Sequence, residues 1–97
     1  MTLNNEEIEN YLQTLNGWER KDAKTLERRF QFDAFPTGIR FVDQLAEHAE
    51  NVQHHPEIII NYTNISIRLC THDAGGITMK DIESAEAYNK IFDQQSF

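Results

Sequence analysis

The first apolar positions of the chain, Ile8, Tyr11, Leu12 and Leu15, recur at helical spacing behind residues that suit a helix start. Asn4 or Asn5 can cap this helix, Glu6 and Glu7 complement the positive end of its dipole, and Asn16-Gly17 stops it. The period then falls to two. Trp18 to Lys21 and Leu26 to Phe32 flank a turn at Asp22-Ala23-Lys24. Leu26, Arg28, Phe30 and Phe32 alternate with Glu27, Arg29 and Gln31, which predicts a hairpin with one buried face. From Pro36 the helical period returns, with Val42, Leu45, Ala46, Ala49 and Val52 on one stripe and Arg40, Asp43, Glu47 and Glu50 off it. An amphipathic helix of about four turns is expected, with Pro36 in its first turn, where a missing N–H costs nothing.

Pro56 disfavours helical geometry at His55, so Gln53-His54-His55-Pro56 ends that helix. Glu57 to Thr63 and Asn64 to Thr71 read as two further strands joined by a turn at Thr63-Asn64. Ile65, Ile67 and Leu69 face one way, Ser66, Arg68 and Cys70 the other, and His72 stands at the strand end. After the loop Asp73-Ala74-Gly75-Gly76, Thr78-x-x-Asp81 reads as a capping-box variant that opens a last helix carrying Ile82, Ala85, Asn89 and Phe92 on one side. The order αββαββα predicts an α+β fold as one domain over residues 1–97. Its core would be a four-stranded antiparallel sheet with three helices packed on one face.

Composition narrows the function. Hydrophobic residues make up 39% and charged residues 26% of the 97, the balance of a small globular domain. A formal charge of -7 repels phosphate backbones, so direct nucleic-acid binding is not expected. Cys70, the only cysteine, has no partner for an intrachain disulfide and reads as a small hydrophobe in a reducing compartment. Residues 1–10 carry neither a basic nor an apolar signal region, and no apolar run approaches a membrane span, so a cytoplasmic location and no membrane contact are expected.

The candidate chemistry lies with the histidines. His54, His55 and His72 fall at element ends, where side chains converge without filling the core. Imidazoles titrating near neutrality can serve as acid and base at once, which suits proton transfer without a cofactor. Two other readings apply to the same residues: a metal shell of three imidazoles and a carboxylate, or histidines that merely end a helix. Their spacing is neither H-E-x-x-H nor Cys-rich, so no metal is expected.

The ordered set His54-His55-Pro56, Tyr62, Leu69-Cys70-Thr71-His72, Gly75-Gly76, Thr78 and Asp81 resembles the signature of the pterin-4a-carbinolamine dehydratases. The likeness extends from Gly17-Trp18 through Phe30-x-Phe32-x-x-Phe35 and Ala46, Ala49 and Glu50 into the last helix, although Ile58 stands where many relatives place a large aromatic residue. The resemblance implies a hydro-lyase that removes water from a 4a-hydroxytetrahydropterin to give the quinonoid dihydropterin, with no metal or cofactor. Such a reaction recycles tetrahydrobiopterin after aromatic amino-acid hydroxylation and implies a functional link to a hydroxylase.

By the same resemblance His55 is the principal acid/base, with His54 and His72 completing the catalytic set. Glu50, one turn before His54, would orient that imidazole or hold the pterin's amino and N3–H edge, unless it is a solvated helix residue. Asp81 matches the family's acidic position, while its place at N3 of the last helix argues for capping first and site support second. Trp18 offers a stacking surface for a planar bicycle, against the commoner fate of core packing. A homodimer or homotetramer is expected from the family's habit and from Ile58-Ile59-Ile60, which is apolar on both faces of a strand. The alternative is a dimeric adaptor, coactivator or assembly protein on the same fold with little or no dehydratase activity.

Overall fold

A computed structural model of the chain describes residues 1–95 and 97. The elements are α1 (Asn5–Leu12), β1 (Glu19–Asp22), β2 (Thr25–Gln31), α2 (Phe35–Val52), β3 (Glu57–Asn61), β4 (Asn64–Leu69), a short 3-10 turn (His72–Ala74) and α3 (Met79–Gln94). All strand pairs are antiparallel, in the order β1-β2-β4-β3, so β1 and β3 are the sheet edges. The expected α+β order αββαββα is therefore the observed one.

Local chemistry sets the helix ends. Asn4 and Glu7 form a reciprocal capping box on α1, with the Glu7 N–H donating to Asn4 Oδ1 at 2.8 Å and the Asn4 N–H to Glu7 Oε1 at 2.9 Å. Thr78 and Asp81 do the same for α3. Pro36 lies in the first turn of α2, and Gln53 closes that helix in the left-handed conformation at φ 54°.

Leu26 and Phe30 of β2 and Ile65, Ile67 and Leu69 of β4 are at most 1% exposed and make one continuous apolar face. Phe41 and Leu45 of α2, with Ile82, Ala85 and Tyr88 of α3, close over it. The other sheet face is polar, because each core residue on a strand is followed by one that points away. Glu57, Arg68, Glu27 and Glu19 stand side by side across the four strands on that open face.

Two expectations are corrected. The buried stripe of α2 is Gly38, Phe41, Leu45 and Ala49, while Ala46 and Val52 are exposed. Phe41 decides the rotation: its ring packs 4.8 Å from Phe30 and 5.1 Å from Phe32, a burial that a stripe of alanines and valines cannot match. Gly38 then meets the sheet so closely that a Cβ there would lie 2.8 Å from Ile65 Cδ1. The β3–β4 turn is Tyr62-Thr63 rather than Thr63-Asn64, since Asn61 and Asn64 form the last pair. A two-residue hairpin favours positive φ, which Tyr62 adopts at 56° with its ring stacked 6.5 Å from Phe35.

Candidate active site

Strand register assembles a cleft on the open sheet face. Arg68 of β4 is paired with Glu57 of β3 and Glu27 of β2, and Leu69 is paired with Leu26. One step further along the same register brings His55, just before β3, and Thr25, at the start of β2, to either side of Cys70. His72 lies two residues beyond. These residues surround a cavity of about 330 Å3 that includes His55, His72, Cys70, Arg68, Glu57 and Thr25.

The polar residues at the centre of the wall are held by neighbours. The His55 imidazole meets Glu50 of α2, Nε2 to Oε2, at 2.5 Å, which leaves Nδ1 as the ring nitrogen free of that carboxylate. Both side chains are more than half exposed, so the contact orients the ring more than it stabilises the fold. His72 opens the 3-10 turn, which Gly75 closes by donating its N–H to Thr71 O and His72 O, each at 3.0 Å. Cys70 Sγ lies 3.4 Å from His72 Nε2 and 3.7 Å from Nδ1. Burial, then the fields of Asp81, Asp22 and Glu57, push the Cys70 thiol above its ordinary value, so it stays protonated near neutral pH. Arg68 donates from Nε to Glu27 Oε2 at 2.6 Å and from Nη1 to Glu57 Oε1 at 3.5 Å, and the hydrogen bond to Glu27 holds its pKa above even the usual guanidinium range.

Behind the cleft a buried polar group ties the two histidine-bearing loops together. Asp81 is completely buried, and its Oδ1 meets His54 Nε2 at 2.7 Å. Its Oδ2 accepts the Thr71 hydroxyl at 2.8 Å and the Thr78 N–H at 2.9 Å. The Thr78 and Thr71 hydroxyls are 2.8 Å apart and also share a hydrogen bond. One carboxylate thus fixes the residue before His55 and the residue before His72. With all its oxygens engaged, it meets the requirement that buried acceptors find partners.

The six residues singled out from the sequence therefore separate. His55 and His72 share the cleft, and Glu50 stands at its rim, bonded to His55 rather than to His54. His54 and Asp81 form the support behind it, and His54 borders a separate cavity of about 150 Å3 with His48, Lys80, Glu83 and Ser84. Asp81 also caps α3 as its position suggested. Trp18 lies apart from the cleft. It is 5% exposed, donates Nε1–H to Asn89 Oδ1 at 2.8 Å and meets Phe30 edge-on, so the commoner fate of a lone tryptophan holds. Among the described residues no group of three His, Cys, Asp or Glu side chains is arranged to hold a metal ion. Arg68, Glu57, Thr25 and Cys70 were not foreseen, though the pairing of β2, β4 and β3, carried from Leu69 on to Cys70, would have placed them together.

A sequence model for the family described as pterin 4 alpha carbinolamine dehydratase matches residues 1–91. The chain belongs to this family. A pterin-4a-carbinolamine dehydratase homologue of Gloeobacter violaceus, which carries that activity as a provisional name, is 46% identical over 85 residues, covering 84% of this chain and 92% of its own. Among solved structures, a transcriptional coactivator/pterin dehydratase from Brucella melitensis superposes with a TM-score of 0.90 at 35% identity, over 94% of this chain and 98% of that one. A pterin dehydratase-like protein identified as a RuBisCO assembly factor in the alpha-carboxysome shares the fold, with a TM-score of 0.66 at 23% identity over 78% and 89% of the two chains.

Proposed function

We propose that this dehydratase-family chain removes water from a 4a-hydroxytetrahydropterin, with His55 and His72 as the acid/base pair. The observation that carries the reading is their placement in one cleft, with His55 bonded to Glu50 and His72 in contact with Cys70. In the substrate the C4a–OH bond lies next to N5–H. A protonated imidazole gives its proton to the leaving hydroxyl, the C4a–O bond breaks as the N5 lone pair forms C4a=N5, and a neutral imidazole takes the N5 proton. The products are water and the quinonoid dihydropterin, and proton exchange between the rings restores the pair. Each such transfer is worth about 100- to 10,000-fold. No step calls for a metal or a cofactor.

In this reading His54 and Asp81 are positioning residues and Glu50 turns the His55 ring. The chain would act in the cytoplasm, recycling tetrahydrobiopterin beside an aromatic amino-acid hydroxylase. The test is a stopped-flow comparison of dehydration with the spontaneous rate. Acceleration by the parent chain, with losses of at least about 100-fold for His55→Ala and for His72→Ala, is expected. No acceleration at micromolar enzyme, or two alanine variants as fast as the parent, would overturn the assignment.

The adaptor reading draws on a different surface. Ile59 and Ile60 on edge strand β3 are 38% and 43% exposed, and Tyr62 at its turn is 70% exposed, an apolar border that suits self-association or a protein partner. The two readings coexist if the chain forms a homodimer or homotetramer through that edge while the cleft stays open.

A further inference from the structure

The proton transfers occupy only one end of the cleft. The other end is built from Arg68 and Glu57, which neither the proton transfers nor the core requires. Alternate residues on a strand are about 6.8 Å apart on one face. Arg68 and Glu57 lie two residues along the chain from Cys70 and His55, and all four line the same cavity. A flat fused bicycle that meets His55 and His72 with its C4a–N5 bond would extend its pyrimidine ring toward Arg68 and Glu57.

The polar inventory of this end is specific. Glu27 anchors Arg68 through Nε at 2.6 Å, whereas Glu57 holds Nη1 only at 3.5 Å and is itself largely exposed. The guanidinium thus has a fixed plane and retains N–H donors for a ligand, and the Glu57 carboxylate can turn toward one. Two carboxylates against one guanidinium leave the group with a formal charge of -1, which disfavours phosphate and other anions. A neutral edge that presents two donors beside an acceptor fits better. The pyrimidine edge of a pterin has this pattern: the 2-amino group and N3–H donate, and O4 accepts.

Resting on the pterin reading above, we propose that Glu57 and Arg68 determine specificity by reading the 2-amino-4-oxo edge. Glu57 accepts from the 2-amino group and N3–H, and Arg68 donates to O4. Hydrogen bonds that involve a charged group are the stronger class and lose most when one partner is removed.

The experiment measures binding and turnover separately. Binding is followed by fluorescence titration with 6-methyl-7,8-dihydropterin and with its 2-oxo counterpart, which lacks the 2-amino donors. The parent should prefer the pterin about 10- to 100-fold. Glu57→Gln, which keeps the shape and loses one acceptor oxygen, should bring that preference close to unity. Arg68→Ala should weaken both ligands and raise KM about tenfold or more, with kcat within about threefold. Unchanged preference in folded Glu57→Gln together with unchanged KM in Arg68→Ala would overturn the proposal. Loss of preference in a chain that binds dihydropterin without dehydrating its 4a-hydroxy form would uphold this recognition while the catalytic reading fails. Full turnover by both variants with the parental preference would do the reverse.

Discussion

Replacing Asp81 with alanine tests whether one buried carboxylate holds the site together. The substitution leaves the Thr71 hydroxyl, the Thr78 N–H and the His54 imidazole without their acceptor in a region where Asp81 is 0% exposed. Each unmet donor costs about 1 to 2 kcal/mol, and breaking one member of a buried pair costs about 3 to 5 kcal/mol in all. For a domain of this size 1 kcal/mol moves Tm by about 4 to 8 °C, so a fall of at least about 12 °C is expected. Asp81→Asn, which keeps an oxygen for Thr71 and Thr78, should lose less. Thermal unfolding followed by circular dichroism at one protein concentration measures both. His54→Ala combined with Asp81→Ala should show a coupling of about 1 kcal/mol or more. His55→Ala, which removes only an exposed contact, should melt within about 3 °C of the parent. An Asp81→Ala chain that melts within that same margin, or two substitutions that simply add, would refute the bridging role.

Two further outcomes are expected. Burial pushes the Tyr88 phenol up to about 12, with the Ser84 hydroxyl opposing and Asp81 adding to the shift. The unfolded chain therefore releases this proton first, and up to about 2 kcal/mol of stability present below pH 10 is lost as the pH climbs toward 12. Tyr88→Phe should flatten that part of the denaturation profile, and a slope identical to the parent's would contradict it. Sedimentation at micromolar concentration should show a dimer or tetramer that Ile59→Lys with Ile60→Lys converts to monomer, and a parent chain that sediments as one protomer would count against association through β3.

Much of the architecture was legible because its signals are local. The capping residues Asn4 and Thr78, the change of period at Pro36 and the alternation through Ile65, Ile67 and Leu69 each act within a few positions. The rotation of α2 was not, since it depends on Phe41 meeting rings from β2 and α3. His55 and His72 stood out by residue type. The partner of His54 did not, because Asp81 lies 27 residues away and its oxygens reach two distant segments as well as the cap of its own helix. The floor of the cleft was hidden for a related reason. Arg68 and Glu57 sit at polar positions of alternating strands, where charge ordinarily means contact with water, and only the pairing of β2, β4 and β3 turns a solvated face into a wall.

That placement on the polar side of the sheet bears on how the protein can change over generations. Positions 25, 27, 57, 68 and 70 all stand outside the apolar core, so a library randomised there would sample new ligand preferences while most members still folded. Stability and selectivity occupy opposite sides of one thin layer, and mutation can explore the second without drawing down the first.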